Sequence, residues 1–337
     1  MPCYFCSDHG GCSAMYRIDH KIIVLNAVLL VAAIGALSYF EPTYLTQLVV
    51  WSAINAVLAA GMRFVLLIGE TNMACGAIYG FAAYLTAIAV TNGLDVVPLV
   101  LIASSVGAAL LGLLFGWMTL RVKGPYFMLI GFAFTEVVRL AYTRIDFVGG
   151  NSGMVGIYAP MSLEPWMPAI SVSVCYLLLC GLYAAEMSSF GLLMHAIRNN
   201  DKVVETLGVS ALRVKLLCFV IAALVVGAAG SIHAYSYHVI SPGDFSFLIP
   251  VYALAYAKVG GERHIVGPVI GAIFLTVVSQ LVQGSGALQY VLFGGVIILS
   301  MLGVRGGLID VAKWIGCWCL IGARPGVSKD RASGELG

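Results

Sequence analysis

Long runs of residues without a formal charge constrain this chain more than any other feature. A helix needs about 20 apolar residues to cross the hydrocarbon core of a bilayer. The sequence contains seven uncharged runs of roughly that length or more, at 22–40, 42–62, 71–94, 96–120, 165–185, 216–243 and 265–304. Because Gln283-Gly-Ser-Gly286 interrupts the last run, that run predicts two spans.

The composition supports the same conclusion. Hydrophobic residues make up 61% of the chain and charged residues 10%, which is too little charge to cover the surface of a soluble protein of this size. We therefore predict an all-α polytopic membrane protein with about ten transmembrane helices, some of them short or broken. The predicted spans are 22–40, 44–68, 76–92, 97–120, 125–143, 166–185, 214–236, 247–259, 266–283 and 288–304.

The positions of the basic residues predict the topology. An even number of spans places both termini on one side, and on this assignment 16 of the 18 Lys and Arg residues fall on that same side or in its loops. Basic segments resist translocation, so this side is predicted to be cytoplasmic. The chain then divides into a cytoplasmic tail (1–21), a transmembrane domain (22–304) and a second cytoplasmic tail (305–337).

Several functions are disfavoured by what the sequence lacks. It has no G-x-x-x-x-G-K-[ST], H-E-x-x-H or G-x-S-x-G motif, so we expect neither ATP binding by this chain nor enzymatic activity. The net charge of +2 does not indicate a nucleic-acid partner. The spacing Cys3-x2-Cys6-x2-His9-x2-Cys12 is too compact for a familiar zinc module, so we expect no metal and no cofactor on this chain.

Glycine-rich breaks lie beside two apolar runs. In the stretch 69–84, Glu70 and Asn72 precede Gly76 and Gly80, whose spacing suits either close helix packing or a broken helix beside a transport path. In the stretch 258–272 the breaks are predicted to end one span and begin the next. They are Gly260, Gly261, Gly267 and Pro268.

A carboxylate is predicted near the middle of the fifth span. Glu136 lies about 17 Å along a helix that begins near Pro125. Arg139, three residues later, shares its face and could neutralise it. The two alternatives are a structural ion pair and a role for Glu136 in a translocation path.

The stretch 195–216 is a polar island that holds six of the chain's 34 charged residues. Asn200 or Asp201 can cap a short helix with an apolar face of Val203, Val204 and Leu207. Gly208 can end that helix, and Ser210 can cap the next. Such a helix could dock in a groove on another protein or rest on lipid headgroups.

Five blocks, in this order, resemble the permease subunits of ABC importers for branched-chain amino acids and urea. They read RVKGPYFMLIGFAFTEVVR, GGNSGMVGI, AIRNNDKVVETLGVSALRVKLLCFVIAALVVGAAGSIHAY, ISPGDFSF and VGGERHIVGPVIGA. The resemblance covers about residues 50–310, and it is to the longer of the family's two permease types. The chain departs from the family pattern at Glu70, near Met62–Arg63 and at Glu262, which leaves the substrate open.

The resemblance implies a function and a set of partners. The chain would form half of a channel in the bacterial inner membrane with a second, related permease. Two ATP-binding subunits carrying ATP and Mg²⁺ would complete it, and an extracytoplasmic protein would deliver an amino acid, urea or a short amide. Residues 195–210 would be the coupling helix, in which we single out Arg198, Asp201, Glu205, Leu207 and Gly208.

Two further expectations concern the transport path and an alternative function. The residues singled out for the path are Glu70, Asn72, Gly76, Gly80 and Glu136. The alternative function is a stand-alone secondary transporter or channel, which would need an ion-binding carboxylate deep in the bundle.

Overall fold

A computed structural model shows a helical bundle and describes residues 44–122, 124–262 and 266–282, with a few positions near 291–298 and 308. The helices are α1 (Tyr44–Leu66), α2 (Cys75–Thr91), α3 (Val97–Thr119), α4 (Pro125–Arg144), α5 (Met167–Met187), α6 (Ser189–Asn199), α7 (Asp201–Thr206), α8 (Ala211–Tyr237), α9 (Leu248–Gly260) and α10 (Val266–Val282). Short 3₁₀ turns occur at Asp146–Val148, Gly150–Ser152, Glu164–Trp166 and Pro242–Phe245.

The predicted fold class is confirmed. Eight of the ten predicted spans coincide with helices. In the described part of the chain, five helical segments are long and apolar enough to cross a membrane: Tyr44–Leu66, Val97–Thr119, Pro125–Arg144, Glu164–Met187 and Ala211–Tyr237. Helices α2, α9 and α10 are apolar but shorter, as expected for short or broken spans. The predicted span 22–40 and both predicted tails lie outside the described residues, apart from position 308, and 288–304 is described at only a few positions.

Helix α8 lies at the centre of the bundle and packs against α1, α2 and α3. Small residues permit the close approach: a Cβ placed on Gly61 of α1 would lie 2.7 Å from Val226 of α8. Within this apolar core, the Thr86 hydroxyl bonds to the hydroxyls of Ser104 and Ser231 at 2.9 and 2.8 Å. These three hydroxyls therefore satisfy one another between helices, which suits packing in a membrane.

The outer helices carry the apolar exposed surface. Helix α3 exposes large side chains along one face, including Leu99, Ile102, Leu110 and Leu114, whereas α2 is almost wholly buried. An apolar exposed face of this extent suits contact with lipid, because lipid tails are as apolar as leucine.

One end of the bundle contains α6, α7 and the chain between α1 and α2, and we call it the polar end. The opposite end contains the two-stranded ladder of β1 (Met154–Val155) and β2 (Val239–Ile240), with Met154 paired to Ile240. His238, at φ +61°, turns the chain from α8 into β2, and its Nδ1 lies 3.0 Å from the Ile157 carbonyl oxygen.

Candidate functional site

The polar hairpin, which we define as residues 189–208, follows α5 at the polar end. The Ser188 hydroxyl accepts a hydrogen bond from Phe190 N and caps α6, and the Asn200 side chain accepts one from Lys202 N and caps α7. Gly208, at φ +84°, then reverses the chain toward α8. Ser210 occupies the N-cap position of α8, but its side chain makes no capping hydrogen bond, contrary to the sequence prediction.

The apolar residues of α7 divide between two sides rather than forming one face. Val204 is buried in a small cluster with Ile197, Ala211 and Val214, which pins the hairpin to the start of α8. Val203 and Leu207 instead point outward, and Leu207 is 78% exposed. The hairpin thus has an anchored inner side and an outer side with apolar side chains available to another molecule.

A buried lysine links the hairpin to the rest of the polar end. Lys215 Nζ lies 3.1 Å from Asp201 Oδ2 and 3.5 Å from Glu70 Oε1. The second Glu70 oxygen accepts a hydrogen bond from Gly124 N at 3.4 Å. These contacts connect α7, α8, the turn after α1 and the start of α4.

A second ion-pair group lies at the same end. Arg63 of α1 is buried and makes two parallel contacts to the Glu186 carboxylate of α5, at 2.6 and 2.8 Å. Its Nε donates to the Glu262 carbonyl oxygen at 2.8 Å. The bidentate geometry fixes both partners and makes the bond strong.

Glu262 joins this group to the hairpin. Its carboxylate forms an ion pair with Lys258, which belongs to α9, and lies 3.6 Å from Arg198 Nη2. Partial burial acts to raise the pKa of Glu262, but the bonds and charges of Lys258 and Arg198 outweigh it, so the pKa lies below its usual value. The hairpin is therefore held by ion pairs to α8 through Asp201 and to the end of α9 through Arg198.

A cavity of about 250 Å³ lies in the half of the bundle away from the polar end. Its walls come from the middle of α1, the second turn of α2, the end of α8, the turn 242–245, α9 and the second half of α10. Five aromatic side chains line it: Trp51, Tyr79, Tyr237, Tyr252 and Tyr256. The other polar or ionisable lining residues are Asn55, His233, Asp244, Thr276, Ser279 and Gln280.

The cavity walls are ordered by ring stacking and hydrogen bonds. Trp51 and Tyr237 stack with centroids 5.4 Å apart and planes 2° apart, and His233 continues the stack at 4.1 Å from Tyr237. On the α10 side, Asn55 Nδ2 donates to Thr276 Oγ1 at 2.9 Å. A small cavity with aromatic walls and a few fixed polar groups suits a small molecule.

A second cavity, of about 470 Å³, lies beside the first at the same end of the bundle. It shares Trp51 and is bounded by the starts of α1 and α5 and the end of α8. Glu164 and His238 meet at its edge, where His238 Nε2 lies 3.6 Å from Glu164 Oε1. Both cavities lie in the half of the bundle opposite the polar hairpin.

The structure separates the residues predicted for a translocation path from these cavities. Glu70 belongs to the Lys215 ion pair at the polar end. Asn72 is buried, and its Oδ1 accepts a hydrogen bond from Ala74 N at the start of α2. Gly76 and Gly80 are sites of close packing, against Thr135 and Pro250 and against Phe245 respectively.

Both carboxylate oxygens of Glu136 accept hydrogen bonds. Oε2 accepts a hydrogen bond from Arg139 Nε at 2.7 Å, and Oε1 accepts one from Phe247 N at 3.1 Å. The carboxylate thus ties α4 to the residue that precedes α9. The predicted break in the stretch 258–272 is present in the structure. Helix α9 ends at Gly260, and Gly261 adopts φ +108°. Gly267 and Pro268 lie in the first turn of α10.

The cavity residues were not predicted from the sequence. Asp244 carries a signal that could have found it, because it is the first charged residue after the long uncharged run 216–243 and stands in a Pro-Gly-Asp turn. The aromatic residues carry no such signal, since tyrosine and tryptophan are common throughout the apolar helices. Among the described residues, no group of three or more His, Cys, Asp or Glu side chains is placed to hold a metal ion.

Comparison with known families decides the class of protein. The family model described as the permease component of branched-chain amino acid transport systems matches residues 44–301, which is most of the chain. The chain belongs to this permease family. No solved structure matches the chain.

Curated relatives of this permease differ in the solute that their names give. It is 27% identical to the high-affinity branched-chain amino acid transport system permease protein LivM of Escherichia coli, over 77% of this chain and 68% of that protein. It is 28% identical to the permease protein BraD of Pseudomonas aeruginosa, described in the same words, over 77% and 93%. It is also 28% identical to the ribose import permease protein RbsC of Bacillus subtilis, over 79% and 85%.

Proposed function

We propose that this permease is the membrane subunit of an ATP-driven importer and forms half of the path for a small solute. It would pair with a second, related permease in a bacterial inner membrane, with both termini in the cytoplasm. Two ATP-binding subunits, which carry the ATP and Mg²⁺, would bind at the polar end. A solute-binding protein would deliver the solute at the opposite end, and this chain itself would catalyse no reaction.

The observation that carries this proposal is the construction of the polar hairpin. Its inner side is fixed to α8 by the Val204 cluster and by the Asp201–Lys215 ion pair. Its outer side presents Val203, Glu205 and Leu207, all exposed. A segment that is rigidly joined to the membrane helices and exposed on one side suits the transmission of force from a partner subunit.

The two ends of the bundle fit the two steps of import. The cavities lie at the end where solute would enter, and the ion pairs lie where ATP-driven closure would act. Closure transmitted through Arg198–Glu262 would reach α9 and α10, and closure through Asp201–Lys215 would reach α8. Helices α8, α9 and α10 all line the first cavity, so movement of the hairpin would change its shape.

We propose an amino acid as the solute class, with a branched-chain amino acid as the first candidate. The family model and two of the relatives support this choice. The cavity of about 250 Å³ is small and has aromatic walls, which suits a solute that is part apolar and part polar. Ribose, named for another relative, is the alternative that a transport assay must compare.

Purification of the tagged chain from its native host in mild detergent tests the proposed assembly. We expect P-loop ATPases and a second polytopic permease to copurify with the wild-type chain. Leu207→Asp should release the ATPases and retain the second permease, because only the outer side of the hairpin is altered. A chain that purifies alone and transports solute in proteoliposomes without ATP would instead be a secondary transporter.

A further inference from the structure

The first cavity has an uneven distribution of charge. Among the described residues that line it, Asp244 is the only Asp, Glu, Lys or Arg. Asp244 forms no ion pair in the described part of the chain, and the same cavity is lined by Trp51, Tyr237 and His233, whose rings contact one another. The cavity therefore combines one carboxylate with aromatic side chains.

One oxygen of the Asp244 carboxylate accepts hydrogen bonds that hold the side chain in place, and the other oxygen is available. Oδ2 accepts hydrogen bonds from Ser241 N at 2.8 Å and from Ser241 Oγ at 2.9 Å, which closes a capping box around the turn 242–245. Within the described residues, Oδ1 has no hydrogen-bond partner, and the residue is exposed. Its position is thus fixed by one oxygen while the other remains available.

We propose that this cavity binds the ammonium group of its solute, with Asp244 and the Trp51–Tyr237 stack as the cation subsite. The carboxylate attracts an ammonium group by charge pairing, and the aromatic wall adds cation–π attraction where a ring face is open to the cavity. The hydroxyl and amide groups of Thr276 and Asn55 would receive the uncharged or anionic part of the solute. This inference rests on the proposed function and makes Asp244 a specificity-determining residue.

The subsite would favour an ammonium-bearing solute over a neutral sugar or amide of similar size. A neutral solute gains no charge pairing from Asp244, yet its binding would still remove water from the carboxylate. An anionic solute would be repelled, because no lysine or arginine lines the described wall to offset Asp244. The charge of the cavity, more than its volume, would therefore select the solute.

The first test measures the charge preference of the cavity without any knowledge of the solute. Ser279 lines the cavity, so Ser279→Cys in the full chain, with its copurified partners in nanodiscs, places a thiol there. One probe is a methanethiosulfonate that carries a trimethylammonium group, and the other is a methanethiosulfonate that carries a sulfonate. The chain without Ser279→Cys gives the background modification of the native cysteines. We expect faster modification by the cationic probe, and we expect Asp244→Asn to reduce the ratio of the two rates by about tenfold.

Asp244→Asn is a suitable variant because asparagine keeps an oxygen that can accept the Ser241 N–H hydrogen bond. Asp95→Asn is the control: it removes an exposed carboxylate at the same end of the bundle from a residue that does not line the cavity. A ratio of rates that is unchanged by Asp244→Asn, or changed equally by Asp95→Asn, overturns the proposal.

The second test measures uptake of L-leucine and D-ribose by the complete importer in proteoliposomes. We expect ATP-dependent uptake of L-leucine that falls about tenfold in Asp244→Asn and is unaltered in Asp95→Asn. ATP-dependent uptake of ribose that is insensitive to Asp244→Asn would overturn the cation subsite while the importer function stood. Absence of ATP-dependent uptake of both solutes, together with a chain that purifies without any ATPase, would contradict the importer function, and the charge preference at Ser279→Cys would then decide the subsite alone.

Discussion

Lys215, near the start of α8, forms a buried ion pair with Asp201, the first residue of α7, with Nζ 3.1 Å from Oδ2. The same Nζ lies 3.5 Å from Glu70 Oε1, so one lysine neutralises two carboxylates. A buried cation with two anionic partners resists separation, because a charge left without its partner would be poorly solvated. The polar hairpin is therefore joined to the membrane helices by charge as well as by apolar packing.

Lys215→Met is expected to destabilise the folded chain by roughly 3–5 kcal/mol, since it leaves Glu70 and Asp201 without their shared cation. The measurement is the thermal unfolding midpoint of the purified protein in detergent. Lys202→Met is the matched control: Lys202 belongs to the same hairpin but is exposed. Replacement of all three charges, as Glu70→Gln, Asp201→Asn and Lys215→Met together, should restore part of the loss. Equal midpoints for Lys215→Met and Lys202→Met would contradict the buried ion pair.

A photo-reactive amino acid at position 207 is expected to crosslink to an ATP-binding subunit in membranes of the native host. The Leu207 side chain is 78% exposed on the outer side of the hairpin, so a partner docked there would be within reach. The control places the same photo-reactive residue at Leu99, which is exposed on α3 near the opposite end. Crosslinks to the ATP-binding subunit from position 99, or none from position 207, would refute docking at the hairpin.

Gly80→Ala is expected to lower stability by about 1–3 kcal/mol through overpacking. Its new Cβ would lie 2.8 Å from Phe245 Cγ and 2.9 Å from Phe245 Cβ, so the turn 242–245 must move. Gly181→Ala is the control, because a Cβ there meets nothing within 4 Å and alanine favours the helix. The thermal midpoints of the two variants measure the difference, and a Gly80→Ala protein as stable as Gly181→Ala would argue against the close contact.

The Glu262 ion pairs predict a dependence of stability on pH. Because the folded state lowers the pKa of Glu262 below its usual value of 4.5, this residue stabilises the fold above that value. The contribution is lost as the pH falls from about 4.5 through the lower pKa of the folded state. Thermal midpoints measured between pH 7 and pH 3 should therefore fall more steeply for the wild type than for Glu262→Gln. Parallel curves for the two proteins would show that Glu262 contributes nothing to this dependence.

The helices could be predicted from the sequence because each depends on local signals. Apolar length located α1, α3, α5 and α8 to within a few residues, and the Gly-Pro pairs at 124–125 and 267–268 marked where α4 and α10 begin. The capping role of Asn200 and the end of α7 before Gly208 could likewise be read from neighbouring residues. Local capping rules and hydropathy suffice for features of this kind.

The ion pairs and the cavity could not be predicted because they join residues that are distant in the chain. Glu70 and Lys215 are 145 residues apart, and Arg63 and Glu186 are 123 apart. The glycine-rich stretch 69–84 predicted either close packing or a transport path, and the structure was needed to show that Gly76 and Gly80 are in tight contact with neighbouring elements. The cavity is assembled from five helices and a turn, and no single segment carries its pattern.

The most direct test of the central claim is the number of solute molecules imported per ATP hydrolysed by the reconstituted importer. Gly208 has φ +84°, a conformation in which alanine costs about 1–2 kcal/mol. Gly93, at the opposite end of the bundle, has the same φ and is the matched control. At both positions an added Cβ would meet nothing within 4 Å. We predict that Gly208→Ala and Glu205→Ala hydrolyse ATP but import about tenfold less solute per ATP, while Gly93→Ala matches the wild type. Wild-type import per ATP in both hairpin variants would contradict coupling through the polar hairpin.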